Sequence, residues 1–400
     1  MRIAEFSAYR VRIPLKKKIR HASHTRDATD SLIVRCRLDN GVEGWGEGLP
    51  REYVTGESIE TAVALLRNSD LERQTGSNIT GIDDAIALTQ SIQFAPPCLP
   101  TDRPAAAPRD CYGNSVRCAV ELAILDAVTR AEGVPLSKAV SRVPEAAALL
   151  KRSDRVRYSA AITSMKPWKQ AAMAGAIWLY GFHQTKVKVG VAEIDDVTSL
   201  RRIRRIVGSK IDIRIDANEA WSCAELEERL RLLAPFGVSA VEQPVAHALT
   251  DGLARIRPNV AVPIMLDESL CSLSDARHAI EFETCDIFNI RLSKCGGLVN
   301  SLKIAALARE HGLQFQLGCQ VGETGILSAA GRHFATSVAG IKYLEGSYER
   351  HLVRERLTVE DLTFARGGWA AALNKPGLGV TINPAGLTRV TVSEDHWKLS

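Results

Sequence analysis

Eight short β-like runs, each followed by a helix-length stretch, dominate the chain from Tyr158 onward. They are Tyr158–Ser164, Thr185–Gly190, Ile211–Asn218, Ala240–Pro244, Pro263–Glu268, Ile287–Lys294, Gln314–Cys319 and Ile341–Gly346. Strands that alternate with helices predict a parallel sheet, because a right-handed helical crossover returns the chain to the same sheet. Eight such units in roughly 190 residues predict an α/β barrel of the TIM type more than an open doubly wound sheet. No G-x-G-x-x-G opens a helix after a first strand, which argues against a dinucleotide site.

The front third has a different texture. Ile3–Ile13 alternates loosely, and Ser31–Leu38 runs into Asp39-Asn40-Gly41, a hairpin signal, before returning through Val42 to Glu47. Helical patterns follow at Ser58–Leu66, Asp83–Ile92 and Ser115–Ala131. Between the last two, Ala95–Arg109 holds five of the chain's sixteen prolines and reads as a surface excursion. The expected organisation is an α+β domain over residues 1–130, a barrel over 131–346, and a closing segment over 347–400 that returns to the first domain.

The residues at the ends of the barrel runs carry the functional signal. Buried parallel strands normally read as continuous Val, Ile and Leu. Here Lys186-Val-Lys188 and Asp212-Ile-Arg214-Ile-Asp216-Ala-Asn218 alternate, and later runs end in Glu242-Gln243, Asp267-Glu268 and Lys294. Lys188, Asp216, Glu242, Asp267, Lys294 and Cys319 recur at intervals of about one βα unit, so a barrel brings them to one mouth, where active sites lie. Five ionisable groups buried together must compensate each other or hold an ion. Asp216, Glu242 and Asp267 are hard oxygen donors from three consecutive strands, which suits Mg²⁺; the trio contains no histidine or cysteine, which argues against zinc. Lys188 and Lys294 flank the trio, one unit to either side. A nearby cation and partial desolvation lower a lysine's pKa toward that of a useful base. Lys186 points to the same face as Lys188 by strand alternation and adds like charge.

Taken together, Lys186-Val-Lys188, Asp216-Ala-Asn218, Val241-Glu242-Gln-Pro, Leu266-Asp267-Glu-Ser and Asn289-Ile-Arg-Leu-Ser-Lys294-Cys-Gly-Gly resemble the muconate-lactonising (muconate cycloisomerase-like) subgroup of the enolase superfamily. The likeness extends to Gly44-Trp-Gly-Glu47 in front and Pro376-Gly-Leu-Gly379 behind. It implies a modified (β/α)7β barrel capped by an α+β domain. It also implies Mg²⁺ on Asp216, Glu242 and Asp267, acid/base lysines Lys188 and Lys294 on opposite faces of a carboxylate substrate, and Lys186 beside that carboxylate. The reaction implied is abstraction of the α-proton through an enediolate. Two opposed lysines favour racemisation or epimerisation over cycloisomerisation or syn-dehydration, and a non-catalytic ligand-binding barrel is the rival of another class. Gly318-Cys-Gln320-Val-Gly-Glu323 stands where family members carry Gly-x-Met-x-Glu, which makes Glu323 a candidate substrate contact. Leu344-Glu345-Gly-Ser-Tyr348 replaces the Asp-x-Asp of dipeptide epimerases. Two cap loops add His21, His24 and Arg26 in the first and Arg51, Tyr53 and Thr55 in the second; of these Arg51, Tyr53 and His24 are the expected substrate contacts.

The resemblance implies a small-molecule carboxylate as partner, and charge and composition speak against larger ones. Fifty-one basic residues face 46 acidic ones, aromatics are 6%, and the densest basic run, Lys16-Lys17-Lys18 with Arg20, reads as a solvated loop, so no nucleic acid is expected. No run of 18 apolar residues predicts a membrane span, and the amino terminus lacks the basic and apolar regions of a leader. Nine scattered cysteines without a C-x-x-C pair read as reduced thiols of a cytoplasmic protein. A homo-oligomer is expected.

Overall fold

The computed structural model describes residues 1–20, 25–94, 110–163 and 166–399. Three antiparallel strands open the chain: β1 (Ile3–Arg20), β2 (Thr25–Leu38) and β3 (Glu43–Gly48). The predicted hairpin turn closes with Gly41 at φ 83° and a hydrogen bond from Leu38 N to Val42 O of 2.9 Å. Strand β1 continues well past Ile13, so Lys16–Lys18 lie exposed on a strand rather than in a loop. Helices α1 (Ile59–Asn68), α2 (Ile82–Ser91) and α3 (Asn114–Ala131) follow. The proline-rich stretch Ala95–Arg109 lies outside the described residues.

The glycines of Gly44-Trp-Gly46-Glu-Gly48 have a packing reason. At a period of two they share one face of β3, and a Cβ there would stand 2.1 Å from Ala127 N, 1.9 Å from Ala119 O and 1.9 Å from Ser115 O respectively. The bare face lets α3 lie with its backbone directly on the sheet. That helix is buried almost all round.

Eight parallel strands form the second sheet in strict sequence order: β4 (Ala160–Ile162), β5 (Gln184–Lys188), β6 (Asp212–Asp216), β7 (Val238–Glu242), β8 (Ile264–Leu266), β9 (Ile287–Ile290), β10 (Gln314–Leu317) and β11 (Ile341–Leu344). Seven crossovers join them. Six carry helices: α4 (Pro167–Tyr180), α5 (Asp196–Val207), α6 (Cys223–Leu233), α7 (Leu273–Glu281), α8 (Leu298–Glu310) and α9 (Gly325–Ser337). The crossover after β7 has only helical turns, such as Leu253–Ile256. Ser159 N donates to Leu344 O at 2.8 Å, joining the first and last strands. Last, β12 (Thr391–Lys398) pairs antiparallel with β1 and completes a four-stranded sheet.

The strand ends and helix starts of a βα unit share one rim. Asp195, Ser272 and Thr324 cap α5, α7 and α9 on that rim by accepting from backbone N–H groups of the first turn. Other helix starts are held from the front domain. Glu121 of α3 accepts from Leu298 N and Val299 N at the start of α8, and Glu47 of β3 accepts from Thr324 N at 3.0 Å and Leu327 N at 3.0 Å at the start of α9. Buried carboxylates therefore seat the front domain on the barrel mouth, each aimed at the positive end of a barrel helix.

Candidate active site

Backbone register sets the site. Lys188, the last residue of β5, is paired with Asp216 on β6, and Asp216 is paired with Glu242 on β7. Glu242 is in turn paired with Met265, which precedes Asp267 by two residues on the same side of the strand. The row continues to Lys294, but differently from the sequence expectation. Strand β9 stops at Ile290, and Lys294 sits four residues beyond it in a turn. Its ammonium folds back over the strand end, donating to Asn289 O at 2.9 Å, Asp267 O at 2.6 Å and Asp267 Oδ1 at 2.8 Å.

Cations and carboxylates alternate across the mouth. Lys186 Nζ lies 3.3 Å from Asp216 Oδ2, 3.3 Å from Glu242 Oε1 and 2.9 Å from Glu345 Oε1. Arg291 bridges Glu242 Oε1, at 3.2 Å, and Asp267 Oδ2. Below them Arg214, fully buried, is ion-paired with Glu345 and lies 4.7 Å from the Tyr343 ring centre. Asn289 Nδ2 donates to Glu242 Oε1 at 2.9 Å. Because Lys186 and Arg291 stand between the carboxylates, no three His, Cys, Asp or Glu side chains among the described residues are gathered around a common point. The donor set itself fits Mg²⁺: three carboxylates from adjacent strand ends offer only hard oxygens.

The lysines differ in electrostatic setting. Burial pushes Lys188 below the ordinary lysine value; Lys186's like charge adds to this and Asp216 opposes it. Burial also opposes charge on Lys294, but Asp267 outweighs it and holds that ammonium above the ordinary value. Lys186 is held well above its ordinary value, because Glu242, Glu345 and Asp216 outweigh its burial. Glu345 is the converse case: Lys186 and Arg214 overcome burial and bring it down to about 2.

Backbone strain marks the same positions. Asn218 (φ 43°), Glu219 (φ 67°) and Gln243 (φ 37°) follow two of the carboxylates in the left-handed region that non-glycine residues rarely adopt. Hydrogen bonds hold them there. Asn218 N donates to Asp216 Oδ1 at 3.0 Å, while buried Gln243 accepts from Asp267 N at 2.8 Å and Ser269 N at 3.2 Å and donates to Val245 O at 2.8 Å. Gln243 thus ties the end of β7 to the loop that carries Asp267.

The front domain reaches the Lys294 turn directly. Asn114 Nδ2 donates to Lys294 O at 2.8 Å and Cys271 O at 2.7 Å, and Ser293 Oγ accepts from Leu49 N at 2.8 Å. The glycine pair after Lys294-Cys follows from this contact. Gly296 (φ 80°) and Gly297 (φ 109°) are left-handed, and a Cβ on them would stand 2.7 Å from Asn114 Oδ1 and 2.4 Å from Glu121 Oε1.

The remaining sequence candidates lie at the junction of the two domains. Arg51 is buried, and its two terminal nitrogens donate to Asp30 O, Pro50 O, Thr29 Oγ1 and Val321 O at 2.7–3.1 Å. The guanidinium is a strut between β2 and the loop after β10, and burial lowers its pKa to about 10. Glu323 is held in that same loop, accepting from Gln320 N at 2.6 Å, and burial pushes it up to about 8. Tyr53 packs against Val54, Cys111 and Cys271 with the Arg26 guanidinium 5.1 Å from its ring centre. Thr55 Oγ1 donates to Arg51 O at 3.4 Å. His21 and His24 lie outside the described residues. Sequence reasoning gives no role to Arg214, Arg291, Asn289 or Asn114. Alternation with Asp216 is a usable signal for Arg214; Asn114 has none, since its contact joins residues 180 apart.

Residues 169–386 match the family described as Enolase C-terminal domain-like. The N-succinyl-L-Arg/Lys racemase of Bacillus cereus is 28% identical over 398 residues, covering 99% of both chains. A crystal structure of N-succinyl Arg/Lys racemase from Bacillus cereus superposes with a TM-score of 0.84 at 26% identity over the whole of both chains. That of a dipeptide epimerase from Cytophaga hutchinsonii, complexed with Mg and D-Ala-L-Val, gives 0.82 at 26% identity over 99% of this chain and 100% of that one.

Proposed function

Since the chain belongs to the enolase superfamily, we propose that it racemises or epimerises a carboxylate substrate by moving the proton on the α-carbon between Lys188 and Lys294. One observation carries this reading: the row Lys188–Asp216–Glu242–Asp267–Lys294, with a lysine at each end and three carboxylates between. A substrate whose carboxylate is fixed at the centre of that row presents opposite faces of its α-carbon to the two ends. A base must lie within hydrogen-bond reach of its proton, so each lysine serves one face.

Asp216, Glu242 and Asp267 would hold Mg²⁺, which supplies Lewis-acid stabilisation of the charge that develops on the substrate carboxylate. Lys186 adds a fixed positive charge at the same place. Burial disfavours the charged form of Lys188 and so favours the free amine that can accept a proton, whereas Asp267 favours the ammonium form of Lys294, which can donate one. Return in the opposite direction exchanges those roles. Tyr53 and Glu323 are the substrate contacts proposed at the domain junction, with Arg51 holding the loop that carries Glu323.

N-acyl amino acids fit better than dipeptides. A free α-ammonium needs an uncommitted carboxylate near the last strand. The acid there, Glu345, is already ion-paired with Lys186 and Arg214. The Bacillus cereus relative named for N-succinyl substrates supports the same choice. This is small-molecule chemistry, which suits the expected cytoplasmic setting; no described helix is long and apolar enough to cross a membrane.

The test is incubation of the Mg²⁺-loaded enzyme in D₂O with panels of N-acyl amino acids and of dipeptides, read by mass spectrometry and chiral chromatography. Deuterium should enter the N-acyl substrates at the α-carbon with loss of optical purity. Lys188→Ala and Lys294→Ala should each stop interconversion yet exchange the proton of opposite enantiomers. One lysine variant with full turnover beside another with none would make the chemistry single-base and restore the cycloisomerase or dehydratase reading.

A further inference from the structure

Helix α4 lacks a polar face. Its buried side is Gln170, Ala174 and Ile177, packed toward the sheet. The opposite side, open to solvent, carries Trp168, Ala172, Met173, Ala176, Trp178, Leu179 and Tyr180, with Lys169 as its one charge. Amphipathic barrel helices normally turn charge outward; α5 next to it does so with Arg201 and Arg205. A helix that is apolar all round belongs in an interior.

The area involved is that of an interface. Trp168 is 66% exposed, Trp178 58%, Leu179 66%, Tyr180 42% and Met173 39%. At roughly 150–250 Å² per large side chain these five leave on the order of 600 Å² of apolar surface open. That is at the top of the range for a whole monomer, where the largest patch is roughly 300–600 Å². Pro167, Ala172 and Ala176 lie among them and bring the face near the roughly 800 Å² that each partner contributes to a stable complex.

We infer that a second copy of this chain covers α4, through an antiparallel, two-fold pairing of the helix with itself. The side chains are arranged for it. Trp168 and Leu179 lie on one stripe, eleven residues or roughly 16 Å apart, with Ala172 and Ala176 between them. A Cβ at Gly175 would meet nothing within 4 Å, so the middle of the stripe is open to a close approach. A two-fold axis at the centre sets each Trp168 against the partner's Leu179. Charge does not oppose this direction: Lys166 and Lys169 sit at the amino end, and the carbonyls at the other end are met within the chain by Arg157 and Arg366. Since α4 starts on the mouth rim, the pairing points the two mouths in opposite directions and leaves both open.

Sedimentation velocity on the full chain across a wide concentration range tests this. The native protein should sediment as a dimer or a larger even-numbered assembly. Trp168→Lys and Leu179→Glu, both at exposed positions and hence compatible with a native circular-dichroism spectrum, should each weaken the association roughly a hundredfold by placing an unpaired charge in an apolar contact. The double variant should recover it, because the introduced ammonium of each copy then faces the introduced carboxylate of the other, whereas within one chain the two are too far apart to pair. A native protein that stays monomeric throughout would overturn the inference, as would an assembly indifferent to both single changes, failure of the double variant to reassociate, or a monomer that cosediments through α4 with anionic phospholipid vesicles.

Discussion

Glu121 offers the clearest quantitative test of how the front domain is seated on the barrel. Its side chain is 1% exposed and accepts from Leu298 N, Val299 N and Gln90 Nε2. Burial raises its pKa from the ordinary 4.5 to about 7, although those backbone donors and Arg117 pull the other way. A carboxyl raised in the folded state contributes stability that is fully present below 4.5 and is lost as pH rises through about 7. At about 1.4 kcal/mol per pH unit the loss is about 3 kcal/mol.

Glu121→Gln keeps an oxygen in place for the two amides and removes the ionisation. Near pH 4.5, where both side chains are neutral, the two proteins should be about equally stable. Near pH 8 the variant should be ahead by about 3 kcal/mol, because it escapes the cost of ionising a buried carboxyl. Thermal or urea unfolding of both proteins at several pH values reads this. Glu57, raised to about 6, and Glu349, raised to about 7, add slopes of the same sign, but they are common to both proteins and cancel in the difference. A difference independent of pH would refute the reasoning.

Two further substitutions probe other contacts. Arg214→Met should destabilise the fold by about 3–5 kcal/mol, since it leaves Glu345 buried with Lys186 alone; adding Glu345→Gln should recover much of that loss in urea unfolding, and a double variant as weak as the single one would deny the pair. Gly46→Ala should cost about 3 kcal/mol or more by forcing α3 off β3, whereas Gly41→Ala, which meets nothing within 4 Å, should cost only about 1 kcal/mol of left-handed strain.

What can be read from the sequence follows from the range of the interactions involved. The barrel is legible because each βα unit is local and repeats, so eight runs become eight strands within a few residues of their expected ends. The carboxylate row is legible because register carries one residue per unit to the same rim. Lys294 reads as a strand-end residue because the run Ile287–Lys294 looks continuous; the polar Arg291 and Ser293 instead leave the strand at Ile290 to meet Glu242 and Leu49. Neither the pairing of β12 with β1 nor the seat of Asn114 on Lys294 has any local signature, because each joins parts of the chain far apart in sequence. Arg51 adds a second kind of case: its residue type in a mouth loop suggests a substrate contact, while its four backbone and hydroxyl acceptors, which no local pattern announces, make it a strut as well.

The two ends of the row are supported unequally, and this has a kinetic consequence. Lys188 is fixed within the barrel, on a strand paired along its length with β6. Lys294 sits in a turn whose carbonyl is held by Asn114 of the front domain. Asn114→Ala removes the donor to Lys294 O and Cys271 O, leaving two buried acceptors at a cost of about 1–3 kcal/mol each if nothing moves. The turn then shifts as far as the bonds of Lys294 Nζ to Asp267 and Asn289 and of Leu49 N to Ser293 allow, and a displacement of about 1 Å at a reacting group costs about a hundredfold in rate. On the proposed two-base reaction, exchange of the α-proton that faces Lys294 should therefore fall by about one to two orders of magnitude, while exchange of the proton that faces Lys188 stays within a few fold of native. Rates for each enantiomer separately, measured in D₂O on the same preparation, give the ratio directly. Equal slowing of both would mean that Asn114 supports the mouth as a whole and not the Lys294 turn.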